Sequence, residues 1–343
     1  MSFKRFDAED IVVSAESVTS PLWSGDQVTL QGFYTSSTQV AGTTGDYYMN
    51  VYQTGSGLQG SRTQFSIAYA DKSGFGALVY NSASADTRGK SPTSTIYGQY
   101  RSLVLGDEEA DFNFGGVDSD HFYVLAIDRA RFKEKLLPGT LDLRIKVSGS
   151  AALQLTDNSS VQTTTTFNDA GRVYQLISGS LGQLSAGRVQ DNGYTVQSGS
   201  YGMLLPDVGL VILNGKALDA APASGGLDLG TNRNGDTVGN NNRRLYNALK
   251  EAGSFRLQSQ ETVTSNFVFV RARNNEFNYS TNPSLITGSG EIRHDVMVDS
   301  PQSFITAVGL YNDNNDLLAV AKLSRPLIKD FTKEALVRIK LDY

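Results

Sequence analysis

The C-terminal part of the chain, residues 263–343, carries the pattern that most constrains the fold. Two apolar runs, 304–311 and 317–323, are joined by five polar residues between Asn312 and Asp316. Asn and Asp tolerate left-handed backbone and hydrogen-bond their own main chain, so this spacing predicts a β-hairpin. Residues 335–341 then alternate with a period of two, which predicts a half-buried strand. We therefore expect the C-terminus to belong to a sheet.

The remaining sequence also favours strands. With 34 Gly, 16 Tyr and 16 Phe but only 39% hydrophobic residues, it is typical of short strands joined by many turns. We predict a mainly β fold of antiparallel, sandwich-like sheets, with one or two short helices and a small β insertion. Further strands are predicted at 10–14, 47–52, 64–70, 122–127, 141–147, 152–155, 173–177, 208–213 and 263–270.

Two segments have helical signals. In 241–252, Leu245, Ala248 and Leu249 fall on one face, and Gly253 follows at the position where helices commonly end. Asp128 is placed to cap a brief helix over 129–137, which Pro138 would end. Segment 82–92 is predicted to be a loop.

The length of 343 residues allows two or three domains. We predict an N-terminal arm at 1–24 and the first half of a β-rich body at 25–147. A segment rich in Ser, Thr and Gly, 148–205, is interpreted as an inserted β subdomain. Residues 206–343 would form a C-terminal β domain containing the helix at 241–252.

Charge and composition exclude several classes of partner. The net charge is −5, the pI is about 5.2, and no run of five like charges occurs, so we expect no nucleic-acid binding. There is no cysteine, which excludes disulfides and thiolate metal sites. The start lacks a secretory signal and no apolar run approaches about 18 residues, so we expect a chain that is cytosolic at synthesis and has no membrane partner.

Motifs for cofactor binding are present only in part. Gly55, Gly57 and Gly60 have the spacing of a dinucleotide fingerprint, but the following residues alternate like a strand, whereas the fingerprint requires a helix. Gly89-Lys90-Ser91 resembles the end of a phosphate loop, yet Ser84 stands where the first glycine is required. Both segments are interpreted as turns, and no cofactor is predicted.

Candidate catalytic and metal-binding clusters are equally incomplete. The two histidines lie beside acids, in Asp118-Ser119-Asp120-His121 and in Glu291-Ile292-Arg293-His294-Asp295, without a nucleophile motif. The segment from Asn312 to Asp316 lacks the Gly and Glu of a calcium loop. Asp107-Glu108-Glu109 and Asp111 are typical of a solvated loop rather than a glycosidase pair. We predict no enzyme activity and no catalytic, cofactor-binding or metal-ligating residues; whether an Asp/Asn loop holds a metal stays open.

Several segments resemble a family of virion structural proteins from contractile-tailed, myovirus-type phages of marine cyanobacteria. The segments that carry the resemblance are 277–284, 288–294, 307–313, 318–324 and 334–343, and more loosely 133–140 and 205–214. The C-terminal part of the chain matches this family best, and 148–200 matches it least.

The resemblance implies a tail or baseplate protein located in the virion, made in the host cytoplasm, that assembles with other virion proteins and with copies of itself. It implies no reaction. The loop 274–290 is a candidate interface, with ordinary surface as the equal alternative. Two alternatives remain: a head or neck decoration protein, and a tail protein that binds or cleaves host glycans. No residue pattern supports the binding or cleavage of a glycan.

Overall fold

The structure is a computed structural model that describes residues 3–23, 34–35, 48–53, 58–76, 92–184, 200–233, 240–280 and 282–342. Its contacts divide the chain into two compact units. Unit 1 comprises residues 1–17 and 262–343, and unit 2 comprises residues 18–261. The sequence-based bounds at 148–205 and 206–343 do not coincide with the boundary between these units.

Strands dominate the described residues, and they pair antiparallel, which confirms the predicted fold class. The strands are β1 Ile11–Pro21, β2 Tyr34–Thr35, β3 Tyr48–Tyr52, β4 Thr63–Asp71, β5 Asn113–Phe114, β6 Val117–Asp118, β7 His121–Ile127, β8 Lys135–Leu136, β9 Asp142–Ile145, β10 Leu153–Asp157, β11 Thr166–Asn168, β12 Gly171–Ser180, β13 Gln183–Leu184, β14 Gly202–Leu205, β15 Leu210–Asn214, β16 Phe255–Arg256, β17 Gln258–Ala272, β18 Ser303–Tyr311, β19 Leu317–Lys329 and β20 Ala335–Asp342.

The helices among the described residues are short. They are α1 Pro92–Leu105, α2 Gly215–Asp219, α3 Asn240–Ala252 and α4 Val296–Asp299, with 3-10 turns at Ala8–Asp10, Arg129–Arg131 and Pro222–Ser224.

Unit 2 is built on one large curled sheet. Its order is β16-β9-β10-β12-β14-β15-β7-β4-β3-β2, and β11 and β13 pair with β12. Residues 148–205 thus supply β10, β12 and β14 to the middle of this sheet. The curl brings Phe255 of β16 within 5.5 Å of Phe65 of β4, measured between ring centroids.

Both faces of the large sheet are covered, which explains why β7 and β15 are continuous apolar runs rather than alternating ones. One face packs with α3 through Leu245 and Leu249. The other packs with α1 through Ile96 and Tyr97. Trp23, the only tryptophan, is 3% exposed and its ring lies 4.8 Å from that of Phe255.

The helix at 241–252 is confirmed as α3, but the one at 129–137 is wrong. Asp128 does accept a hydrogen bond from the Ala130 amide, yet the turn ends at Arg131. Leu136 of β8 then donates its amide to the Pro206 carbonyl and pairs with Ser259 of β17. Sheet pairing therefore outweighs the local helical signal. The segment 82–91 lies outside the described residues, and Pro92 begins α1.

Two glycines, one just past the end of a helix and one inside a helix, should respond to alanine with opposite signs. Gly253 has φ 71° and donates its amide to the Leu249 carbonyl at the end of α3, whereas Gly98 lies inside α1 with open space where a Cβ atom would be added. We expect Gly253→Ala to lower the free energy of unfolding by about 1 kcal/mol, because alanine is strained at positive φ. Gly98→Ala should raise it by about 0.5–1 kcal/mol. Urea unfolding of both variants measures this; changes of the same sign would contradict it.

An ion pair in unit 2 makes stability depend on pH. Arg172 donates its backbone amide at 2.8 Å and its Nε at 3.1 Å to Asp207 Oδ2. Burial acts to raise the pKa of Asp207, but the hydrogen bonds from Arg172 outweigh it and hold the pKa below the ordinary value.

A carboxylate with a lowered pKa contributes stability above its unfolded pKa and loses it as pH falls through the folded value. We expect the wild type to exceed Asp207→Asn in unfolding free energy at pH 7, and the difference to shrink between about pH 5 and pH 3. Urea titrations at several pH values measure it. Glu109→Gln, at an exposed carboxylate, is the control, and an Asp207 difference that does not change with pH would refute the prediction.

Unit 1 contains a small sheet and a hairpin. Strands β1, β17 and β20 form the sheet in that order, and β18 pairs with β19 as the predicted hairpin. Val308, Leu310 and Ala319 of the hairpin pack against Val268 and Ile339 of the sheet. The alternation predicted for 335–341 is confirmed, because Val337, Ile339 and Leu341 face this core while Leu336, Arg338 and Lys340 are exposed.

Candidate functional site

The two histidines do not contact the acids beside them in sequence. His121 is 7% exposed, and its Nε2 lies 3.1 Å from Oδ2 of Asp219, 98 positions later. Asp118 instead accepts a hydrogen bond from Asn113 at 2.8 Å. His294 is exposed in the loop before α4. Among the residues that the structure describes, no group of three His, Cys, Asp or Glu side chains is placed to hold a metal ion.

The Asn/Asp segment of the hairpin adopts the predicted turn. Asn312 donates its amide to the Asp316 carbonyl at 3.0 Å, and Asp316 donates its amide to the Asn312 side chain at 2.7 Å. Asn315 has φ 65°, a left-handed conformation that Asn tolerates. The side-chain oxygen of Asn312 is therefore occupied by a hydrogen bond within the turn.

Among the remaining sequence motifs, the acidic segment 107–111 lies in a loop. Asp107 accepts the Glu109 amide, and Asp111 pairs with Lys72 at 2.6 Å on the surface. Strand β4 follows Gly60 and pairs antiparallel with β3, so a strand, and not the helix that a dinucleotide fingerprint requires, comes after this spacing. Residues 54–57 and Gly89-Lys90-Ser91 lie outside the described part of the chain.

A buried polar cluster that the sequence did not predict lies at the ends of β4 and β7. We call it the polar cluster, and its members are Tyr69, Asp71, His121, Tyr123, Asp219, Thr231 and Arg233. Three of its contacts join residues 98 to 162 positions apart: His121–Asp219, Tyr123–Thr231 and Asp71–Arg233. No local motif could have revealed it.

Asp71 is the centre of one half of the polar cluster. It is fully buried and accepts hydrogen bonds from Arg233 Nε at 2.7 Å, Tyr69 Oη at 3.2 Å and the backbone amide of Ser73 at 2.9 Å. Burial and the charge of Asp71 raise the pKa of Tyr69, so this phenol stays protonated and donates. The hydrogen bond from Arg233 thereby ties residues 231–233 to the end of β4 at Asp71.

Asp219 organises the other half. Its Oδ1 accepts from the amide and the hydroxyl of Thr231 at 2.9 and 2.7 Å, and the Thr231 hydroxyl lies 2.9 Å from that of Tyr123. Gly215 lies so close to the His121 ring that a Cβ atom there would be 2.3 Å from Cδ2. The His121 ring is enclosed, and the contacts of Asp219 and Tyr123 with Thr231 tie the segment around Thr231 to α2 and β7.

Several apolar side chains of unit 1 are exposed on the hairpin. We call Phe304, Leu318, Val320 and Ile328 the hairpin surface; they are 55%, 69%, 54% and 42% exposed. Phe304 and Ile328 form a register pair, and Leu318 and Val320 alternate with Ala319 and Ala321, which face the core. The pair Phe304–Ile328 lies at the open end of the hairpin, and Leu318 and Val320 lie near its turn, so the exposed side chains form two pairs of neighbours. Isolated exposed apolar side chains are ordinary, whereas neighbouring ones mark interaction sites.

The sheet of unit 1 also exposes apolar side chains. Val12 and Val13 of the edge strand β1 are adjacent in sequence, so they point to opposite faces, yet they are 47% and 64% exposed. Leu336 of β20 is 60% exposed. Arg338 and Lys340 lie over the Phe267 ring at 5.4 and 5.9 Å and cover part of that aromatic surface. Thus neither face of β1 is covered by the described residues of unit 1.

The loop 274–290, the interface candidate from the sequence, is partly tied to unit 1. Asn278 is buried, whereas Tyr279 is 50% exposed.

Comparison with known proteins gives no match to a family model, a curated protein or a solved structure. None of the described helices is both long and apolar enough to span a bilayer.

Proposed function

We propose that this protein is a non-enzymatic structural component of a phage virion, in the contractile tail or baseplate, and that it works through protein–protein interfaces. The observation that carries the proposal is the hairpin surface, where Leu318 and Val320 are more than half exposed on a strand whose opposite face is packed. The sequence resemblance to tail proteins supplies the class of partner.

The physical argument rests on what exposed strands do. A two-stranded hairpin is marginally stable alone, and its outer edges carry unpaired amides and carbonyls. The free energy falls when another chain covers the apolar side chains next to such edges. An assembly protein keeps this surface open until neighbouring subunits bury it.

The test is incorporation into particles. We expect the double variant Leu318→Thr, Val320→Thr to fold, because threonine suits strands and exposed positions change stability by about 0.5 kcal/mol or less. The variant is supplied to cells infected by a phage whose own copy of the gene is deleted. The abundance of the variant in purified particles should be roughly tenfold or more below that of the wild type, as expected when an interface loses about 1.4 kcal/mol of binding free energy. Quantitative mass spectrometry of the particles measures this.

Lys322→Thr, at an exposed position of the same strand, is the matched control and should be incorporated normally. Electron cryomicroscopy or immunogold labelling of the particle distinguishes tail from head. Three results would overturn the proposal: absence of the wild-type protein from particles, normal incorporation of the double variant, or steady release of reducing ends from host-envelope polysaccharide.

A further inference from the structure

Lys329, the last residue of β19, is fully buried, and it forms no ion pair with a carboxylate among the residues that the structure describes. Its side chain is 0% exposed, although lysine is almost never fully buried unless paired. Nζ donates hydrogen bonds to Asn278 Oδ1 at 2.7 Å, to the Asp330 carbonyl at 2.9 Å and to the Asn274 carbonyl at 3.0 Å. All three acceptors are uncharged.

The three acceptors also orient the nitrogen. The carbonyls of Asn274 and Asp330 can only accept, so each fixes one N–H bond of Lys329. The third direction from Nζ faces the side-chain amide of Asn278, which is 5% exposed. A lone pair becomes available in this direction once Nζ gives up the proton that it donates to Asn278 Oδ1. A nitrogen is thus held beside a carboxamide whose Nδ2 donates to the Asn274 carbonyl at 2.6 Å, so this hydrogen bond has to break as Nζ attacks Cγ.

We propose that Lys329 and Asn278 form an intramolecular isopeptide bond. Nζ attacks Cγ of Asn278, the new N–C bond forms, and the Cγ–Nδ2 bond breaks. The departing nitrogen takes the proton that Nζ gives up and leaves as ammonia, so atoms and charge balance without an oxidant or cofactor. Burial excludes water as a competing nucleophile, and the fixed contact replaces a bimolecular encounter.

The cross-link would stabilise the part of unit 1 that carries the hairpin surface. It joins residues 51 positions apart and encloses all of β18 and nearly all of β19. Closing a loop of this kind restricts the unfolded chain, which favours the folded state. This inference does not depend on the proposed virion role.

The decisive measurement is the intact mass of the purified full-length protein. We expect a mass lower than the sequence mass by one ammonia, about 17 Da, a change of covalent structure. Lys329→Met and Asn278→Ala should retain their full masses. Asn278→Asp should lose one water, about 18 Da, instead of ammonia, because the leaving group changes. Lys322→Met and Asn274→Ala are matched controls that should keep the loss of ammonia.

Tryptic peptides distinguish this bond from cyclisation of another asparagine, which also releases ammonia. The cross-link joins the peptide 274–293 to the peptide 323–333, within which trypsin no longer cuts after Lys329. Detection of this branched peptide by tandem mass spectrometry supports the proposal. A full-length mass equal to the sequence mass would overturn it, and so would a loss of ammonia with cleavage after Lys329 intact.

Discussion

Replacing Asp71 with alanine is expected to lower the free energy of unfolding by about 3–5 kcal/mol, because the change breaks a buried ion pair and leaves its partners unsatisfied. Asp71 is fully buried, and it accepts from Arg233 and from the amides of Ser73 and Phe75. Alanine offers none of these groups an acceptor. Urea unfolding followed by far-UV circular dichroism gives the magnitude.

Two further variants separate charge from hydrogen bonding. Asp71→Asn keeps an oxygen that can accept from the two amides but removes the charge opposite Arg233, so we expect a smaller loss of about 1–3 kcal/mol. Asp111→Ala breaks the pair with Lys72, in which both side chains are about 40% exposed, and should cost about 0–1 kcal/mol. If Asp71→Ala and Asp111→Ala cost the same, Asp71 is not the anchor of the polar cluster.

The features that sequence could predict are those fixed by neighbours along the chain. The alternation around Ile339 and the Asn/Asp turn from Asn312 to Asp316 depend on adjacent residues, and both are confirmed. Helix α3 was predictable for the same reason, since Leu245 and Leu249 lie one turn apart and Gly253 follows in a left-handed conformation.

The features that sequence missed depend on distant residues. Helix α1 contains Thr, Ser, Tyr and Gly, which are poor helix formers, and it is stabilised by packing rather than by propensity. The only local signal is Pro92 at its first position. The polar cluster and the contact between Lys329 and Asn278 likewise join residues far apart in sequence. Periodicity alone carries no information about such pairings.

The packing under α1 supplies the second large effect. Phe122 of β7 is fully buried, and its ring centroid lies 4.4 Å from that of Phe112 and 5.2 Å from that of Tyr97. Burial is the main reason that the pKa of Tyr97 rises to about 12, so its hydroxyl stays protonated beside the Phe112 amide. The Phe122 ring therefore connects β7, α1 and the segment that follows α1.

Phe122→Ala should lower the free energy of unfolding by about 3–5 kcal/mol, because it removes buried apolar area and leaves a cavity beside Tyr97 and Phe112. Phe122→Leu fills most of that space and should cost about 1 kcal/mol. Phe167→Ala, at a 69% exposed ring on β11, is the matched control, with an expected change of about 0.5 kcal/mol or less.

Hydrogen exchange tests where the Phe122→Ala effect lies. Since α1 is held by this aromatic packing rather than by its own propensity, its amides should lose protection more than those of α3, which packs on the opposite face of the sheet. Equal loss of protection in both helices would mean that the sheet, and not the packing under α1, responds to the substitution. A stability equal to that of Phe167→Ala would show that the ring at position 122 is dispensable.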